Sequence, residues 1–587
     1  MSQSRSRRRP FPTDRLRRRD LLRVLGAAPV LPLAGCGGST ESSVAPPTEG
    51  GGVWDDAAFR HGVASGDPEQ ERVILWTRVS NVSGSVPVRW EVALDEAFES
   101  VMRSDADPGP SVFRTHTDAG RDYTVKVDAA GLLPGTTYFY RFTVGATRSP
   151  VGRTRTAGSG AIDRLRLALV SCSNYSAGYF HAYRVIARQD LDAVVHVGDY
   201  LYEGGGEGEI GRPHDPPYEI VTLDDYRRRH AQYRTDPDLQ AMTAAHPLIP
   251  VWDDHESTNN AWIDGAQNHQ PDREGDWEER KLASAIAYDE WLPIRLPDPM
   301  NPLRIWRRIA FGDLVELFML DTRLQRNAPE TDTSITGSEA NDPSRSMLGI
   351  EQRDWLVNGL LNSRDAGMRW RVLGQQTMMA PHRNNPDPSM LPLPYLPPAV
   401  VESLGLRQGG GNEGSDNWGA YVFERDTLIR HLRENAISNN IVLTGDVHTG
   451  WACDIVEDPY TPFNPITSGV TGAPGYSALT GAGSVAVEFT GMSVTSNNLI
   501  DTPGGAALGA LWGAAVRGVN PNARYHNPAA HGFVLVDIDR DGASGSFWNV
   551  GTVLEPLADG DDGAIDATFR VAHAEAGARF ANHLRRV

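Results

Sequence analysis

Cysteine is scarce. The 587 residues hold three, Cys36, Cys172 and Cys453, too few for a disulfide framework to carry the fold. Long apolar runs are missing as well. After the first 35 residues none approaches the ~18–20 residues that span a bilayer. Positive charge is short: 56 Lys and Arg face 75 Asp and Glu, for a formal charge of −19. Nine of those arginines and only two acids fall in residues 1–35, which leaves the rest of the chain near −26. Such a surface repels polyanions, which excludes a broad nucleic-acid-binding face. Any site for an anionic ligand must make its positive charge locally.

What is present begins with an address. Arg18-Arg19-Asp20-Leu21-Leu22-Arg23 follows an arginine-rich start and precedes a short apolar run, Val24 to Leu33. This pattern reads as a twin-arginine export signal, with the twin-arginine machinery as partner. Leu33-Ala34-Gly35-Cys36 resembles a lipobox that would anchor the chain to a membrane through Cys36, although a signal-peptidase site nearby would serve too. The expected destination is the periplasm, the cell surface or the medium. With Cys36 set aside, Cys172 and Cys453 could pair in an exported protein. The twin-arginine route carries folded, cofactor-loaded proteins, and this favours at least one of them as a metal ligand.

The domain pattern follows. Residues 1–36 are the signal and 37–54 a Pro/Gly/Ser-rich tether. Residues 55–157 alternate as strands (RVILWTRV, VPVRWEVALD, RDYTVKVDA, TTYFYRFTVG), predicting a small β-sandwich, and a strand-loop-strand corner at 131–140 resembles fibronectin type III domains. From 162 to 587 strands and helices alternate, predicting a large α/β domain. Helices are expected near 178–188, 225–244 and 566–584, the last capped by Asp566 with Phe569, His573, Phe580 and Leu584 on one face. The Pro/Gly-rich stretches 383–418 and 455–530 are expected to be irregular insertions. No heptad pattern predicts a coiled coil, and a monomer is expected.

Six apolar runs of the α/β region end in polar residues. They close on Ser171-Cys172, Gly198-Asp199-Tyr200-Leu201-Tyr202, Asp253-Asp254-His255-Glu256, Asp321-Thr322-Arg323, Gly374-Gln375-Gln376 and Gly445-Asp446-Val447-His448. Chemistry in open α/β sheets sits at such strand ends. An Asp after one strand is more often a turn or cap residue; the repetition is what counts. Carboxylate and phenolate oxygens, joined by a thiolate or imidazole, suit a small, highly charged cation. Glu203-Gly204-Gly205-Gly206 reads as a mobile polar loop, and His196, inside its strand, as structural.

Gly198 to Tyr202, Asp253 to Glu256 and Gly445 to His448 together resemble the calcineurin-like metallophosphoesterases. A Cys after the first strand, Asp-Asp-His-Glu in the second block and Gly-Asp-x-His in the last narrow this to the PhoD-like alkaline phosphatase/phosphodiesterase family. HGVASGDP, YRRRHAQYRTDPDLQ and SDNWGAYVFER strengthen the likeness, which spans about 55–585. The resemblance implies a ferric ion beside one or two calcium ions. Cys172, Asp199, Tyr202 and His448 would hold the iron, with Asp199 bridging to calcium. Asp254, Asp446 and Asn259 would hold the calcium, for which hard oxygen donors are apt.

The expected function is therefore an exported phosphoester hydrolase acting on phosphate esters with metal-activated water. Arg323 would hold phosphate oxygens and His255 would protonate the leaving alkoxide. Two readings stand beside it: a phospholipase D-like phosphodiesterase acting on lipid headgroups, and a substrate-binding surface lipoprotein with degenerate motifs.

Overall fold

The computed structural model describes residues 56–102, 113–329, 340–383, 416–464, 475–557, 560–574 and 582–587. The expected signal, lipobox and tether lie outside the described residues, as do most of the 383–418 insertion and Phe580. Among the described residues no helix is long and apolar enough to cross a membrane.

Two large sheets carry the site. The first has ten strands, and its middle is parallel: Arg164–Val170, Ala193–His196 and Pro247–Pro250 lie side by side. In the second, seven-stranded sheet Val315–Met319, Trp370–Gly374, Asn440–Thr444 and Ala486–Thr490 are likewise parallel neighbours. These strands are buried along nearly their whole length, which explains why they read as continuous apolar runs rather than alternating ones. Leu167, Leu169, Val195 and Ile249 of the first sheet share one core with Leu317, Val372, Leu443 and Phe489 of the second. Each such buried aliphatic side chain contributes about 1.5–3 kcal/mol. All six strands whose ends looked chemical are present.

The four strands expected in 55–157 form as Arg72–Arg78, Val86–Ala93, Thr124–Ala130 and Thr137–Val144. Val73, Leu75, Val88, Trp90, Tyr138 and Phe142 make a separate core between them. Arg72–Arg78 and Thr124–Ala130 extend the ten-stranded sheet, because Val63–Gly66 pairs in parallel with Pro247–Pro250. The amino-terminal region is thus stitched to the α/β region through backbone hydrogen bonds.

Three expectations about elements are corrected. The 225–244 helix is two, Leu223–Tyr233 and Pro237–Ala245. Pro237 has no N–H to continue a helix, so it opens a new one, and Asp236 caps that helix through Asp238 N at 2.9 Å and Leu239 N at 3.1 Å. The helix expected from Asp566 is instead the strand Ala564–Ala572, paired with Gly542–Asn549. Its period is two: Ala567, Phe569 and Val571 are buried, and Asp566 is no cap but an acceptor for Tyr525 Oη at 2.5 Å. The 455–530 stretch is not irregular throughout, since it supplies Ala486–Thr490, the helix Gly505–Val519 and Ala523–Asn527.

Candidate active site and metal centre

Gly198 shows how the strand ends come together. Its φ is +110°, and a Cβ there would meet the Asp253 backbone N at 2.5 Å and Cβ at 2.3 Å. Only glycine lets the ends of the second and third parallel strands approach this closely. Beyond it the backbone is strained where the chemistry is. Cys172, Asp199, Asp446 and His448 all sit at positive φ, between 54° and 65°, a conformation that costs non-glycine residues free energy and collects at functional sites.

The side chains converge as three adjoining clusters. Ligand atoms of Cys172, Asp199 and His448 lie within 4.8 Å of one another, as do those of Asp199, Asp254 and His255, and those of Asp253, Asp254 and Asp446. Asp199 and Asp254 are each shared by two clusters, an arrangement with room for more than one cation. Tyr202 completes the first. Its hydroxyl donates to Asp199 Oδ2 at 2.8 Å, accepts from Ser496 Oγ at 2.6 Å and lies 3.3 Å from His448 Nε2. His448 Nδ1 is 3.0 Å from the Asn497 carbonyl. A carbonyl only accepts, so Nδ1 carries the proton and Nε2 presents its lone pair.

Whether a metal fits can be judged from unmet valences. Asp199 Oδ1 and Asp254 Oδ1 are buried, with no hydrogen-bond partner among the described residues. A buried carboxylate oxygen left so costs about 1–3 kcal/mol or more, and a cation would satisfy both. Burial pushes the Cys172 thiol, the Asp199 carboxyl and the Tyr202 phenol well above their ordinary pKa values, and neighbouring negative charge adds to each. Burial, only partly offset by Arg323, lifts Asp446 to about 6. Burial also drops His448 to about 4, leaving it neutral and able to ligate. So many acids packed together, alongside a neutral imidazole, are the donor set that a bound cation would stabilise in ionised form.

His255 points into the same space. Its Nδ1 makes a 2.5 Å hydrogen bond to Glu203 Oε2, and its ring lies 4.2 Å from that of Tyr202. Burial works against the imidazolium, but Glu203, Asp199 and Asp254 outweigh it and hold the His255 pKa well above its usual value.

Two predicted site residues have partners of their own here. The Arg323 guanidinium is wholly buried and reaches Asp253, Asp416, Asp446 at 2.7 Å and Asp254 at 3.6 Å. Its Nε, Nη1 and one Nη2 N–H brace carboxylates, while Asp254 lies beyond hydrogen-bond distance of Nη2. Asn259 turns its amide to Gln267 Oε1 at 3.0 Å. Asn260, with φ +53°, is the amide that meets the acids, its side-chain end 3.3 Å from Asp254 Oδ2 and 3.0 Å from Asp416 Oδ2. A nitrogen there donates to both; an oxygen there would make a three-oxygen cradle for a cation. The two cysteines do not pair. Both are free and buried, Cys172 in the cluster and Cys453 in the strand Gly450–Ile455. His196 is structural, as expected, bonded to Tyr183 Oη at 3.0 Å.

Other residues had been given no role. Glu256 accepts from Asp199 N (3.1 Å), Tyr200 N (2.6 Å) and Asp253 N (2.7 Å), tying two strand ends with one carboxylate. It stands in the Asp-Asp-His-Glu block, so the motif contained it. Glu203 opens the supposedly mobile Glu203-Gly204-Gly205-Gly206 loop, yet it is 3% exposed. Arg229 pins that loop, donating to the carbonyls of Tyr202, Gly204 and Pro216. Asp416 is the second residue of SDNWGAYVFER, a motif quoted for the family likeness without a role for its acid.

This geometry can be set beside known proteins. Residues 167–547 match the family described as PhoD-like phosphatase, and residues 46–158 match its amino-terminal domain. The chain belongs to the PhoD-like phosphatase family. It is 35% identical to alkaline phosphatase D of Bacillus subtilis (strain 168) over 461 residues, covering 75% of this chain and 69% of that one. A solved structure described as that of PhoD superposes with a TM-score of 0.73 at 30% identity, covering 91% of this chain and 93% of its own. Membership makes the protein a phosphatase enzyme with a mixed α/β fold built on large sheets, and the acidic, thiol and imidazole clusters are compatible with metal dependence.

Proposed function

We propose that the protein is an exported phosphoester hydrolase of the alkaline phosphatase and phosphodiesterase kind, working with a ferric ion and calcium. The observation that carries the reading is the sharing of Asp199 and Asp254 between adjoining ligand clusters, each with a buried oxygen lacking any hydrogen bond among the described residues. Cys172, Asp199, Tyr202 and His448 would hold the iron, the thiolate and phenolate matching its high charge. Asp254 and Asp446 would hold calcium, with Asn260 and Asp416 as further oxygen donors in place of Asn259. When bound, such a pair supplies positive charge for phosphate oxygens and the acidity that turns water into a nucleophile at phosphorus.

The chain's own groups do the rest. His448, fixed by Asn497, keeps one nitrogen free to ligate. Arg323 offsets part of the repulsion among Asp253, Asp254, Asp416 and Asp446. His255, its Nδ1 proton committed to Glu203, has Nε2 free to give a proton to the departing alkoxide. In fold terms the reading is a metallophosphoesterase core at 162–587 behind a fibronectin III-like sandwich at 55–157. Twin-arginine export of the loaded protein and lipid attachment at Cys36 complete it.

Elemental analysis of the purified protein, with its visible spectrum, tests the assignment. Iron and calcium should co-purify, with a thiolate- or phenolate-to-iron absorption band, and Asp254→Asn should lose calcium and turnover together. A colourless, metal-free but active protein would overturn it.

A further inference from the structure

A cavity of about 460 Å³ adjoins His255, lined among others by Asn174, Glu203, Asn259, Gln267 and Asn268. Its chemistry is distinctive in what it offers and in what it omits. Asn174 Oδ1 is used by Ser176 N and Oγ, Asn259 Nδ2 by Gln267 Oε1, and Asn268 Nδ2 by Glu203 and Glu219. The other half of each amide has no hydrogen-bond partner among the described residues: Nδ2 of Asn174, Oδ1 of Asn259, Nε2 of Gln267 and Oδ1 of Asn268. The wall thus presents two unused donors and two unused acceptors beside the free Nε2 of His255. Among the described residues no Lys or Arg lines the cavity, and the chain as a whole is acidic.

We infer that this cavity receives the leaving alcohol, and that the alcohol it takes is neutral and carries several hydroxyl groups. The inference rests on the phosphoester-hydrolase reading above. A hydroxyl is both donor and acceptor, so a polyol matches a wall that alternates the two. An alkyl leaving group would leave those amides desolvated and unpaired, which is how polar pockets reject analogues lacking a hydroxyl. A leaving group bearing a second phosphate would meet no Lys or Arg among the described lining residues, only a His255 whose charge is already paired with the carboxylate of Glu203. The residues involved extend from the motifs themselves. Asn174 follows Cys172 by two positions, and the Asn259-to-Asn268 turn follows Asp254, so the groups that would hold the alcohol lie on the same strand ends as the proposed ligands.

The test is steady-state hydrolysis by the metal-replete full chain of four probes. They are glycerol 1-phosphate, its 2,3-dimethoxypropyl counterpart, glycerol 1,3-bisphosphate and p-nitrophenyl phosphate. Methylation leaves the reacting oxygen in a similar inductive setting but removes both hydroxyl donors. We expect kcat/KM for glycerol 1-phosphate to exceed that for the dimethoxy ester by about tenfold or more, the worth of one or two hydrogen bonds, and to exceed that for the bisphosphate. In an Asn174→Leu/Gln267→Leu variant the first ratio should fall toward one, with p-nitrophenyl phosphate reporting any general loss. Equal rates for the glycerol and dimethoxy esters, or a preference for the bisphosphate, would overturn the inference. If p-nitrophenyl phosphate is turned over in that case, the hydrolase reading survives. If the loaded protein cleaves none of the four esters, nor bis(p-nitrophenyl) phosphate as a diester control, both fall.

Discussion

Glu203 takes the Nδ1 proton of His255 in a 2.5 Å hydrogen bond, from inside a loop whose sequence looks built to move. The carboxylate is itself held: its other oxygen accepts from Thr258 Oγ1, Asn259 N at 2.8 Å and Asn268 Nδ2. Burial alone would raise its pKa, but the His255 charge and these donors keep Glu203 ionised, below the ordinary range. A fixed carboxylate behind an imidazole sets both its tautomer and its aim.

The first prediction concerns this pair. Glu203→Gln keeps the shape but cannot satisfy all four donors, so the ring loses its fixed aim. Hydrolysis of alkyl phosphates, whose leaving oxygen needs a proton, should fall by about 10²-fold or more. Hydrolysis of p-nitrophenyl phosphate, whose leaving oxygen does not, should fall far less. Equal losses on the two substrates would show that Glu203 only maintains the fold.

Glu256 supports a second prediction. One carboxylate orders Asp199 and Asp253 through their backbone N–H groups, and burial raises its pKa to about 8. Glu256→Gln replaces an acceptor oxygen with a donor that faces other donors. Metal affinity should fall about 10–100-fold, as for other groups that support ligands, while the circular dichroism spectrum is retained. Titration of iron and calcium into chelator-treated protein measures it; unchanged affinity would remove Glu256 from the site.

How far the sequence carried the reading depends on the range of each interaction. Asp199, Tyr202, Asp254, Asp446 and His448 were legible because a strand end fixes where its next residues go. Arg323 was legible as a site residue, but its pairing with Asp416 was not, because the two stand 93 positions apart. Asn260 was missed because its amide meets Asp254 and Asp416 from a left-handed backbone, φ +53°, which no side-chain pattern reveals. The carboxy-terminal strand was misread for a related reason. Its spacing of apolar residues fits both periods, and only the pairing of Ala564–Ala572 with Gly542–Asn549 decides between them.

A third prediction follows from the unmet oxygens of Asp199 and Asp254. If calcium meets that need, it binds the folded chain and not the unfolded one. Removing it with a calcium-selective chelator should lower Tm, and re-addition to about 100 times its Kd should restore about 2.7 kcal/mol. Differential scanning calorimetry across a calcium series tests this, and a Tm indifferent to calcium would argue against the cage.

The last prediction is a pH dependence away from the metal ligands. Glu488 is buried in the strand Ala486–Thr490, where it accepts from Met379 N and Ala380 N, both at 2.8 Å. Burial outweighs those donors and raises its pKa from 4.5 to about 7. The folded chain therefore binds this proton more tightly than the unfolded chain does. Its favourable contribution is complete below pH 4.5 and is lost as pH rises through about 7. Between pH 5.5 and 8 the loss amounts to about 2 kcal/mol. Glu488→Gln cannot titrate, and its mismatched amide should make it less stable than the parent at pH 5.5. As pH rises the parent should lose that advantage, so the gap between their urea midpoints should narrow by pH 8. A gap that stays constant across this range would mean that Glu488 does not change protonation on folding.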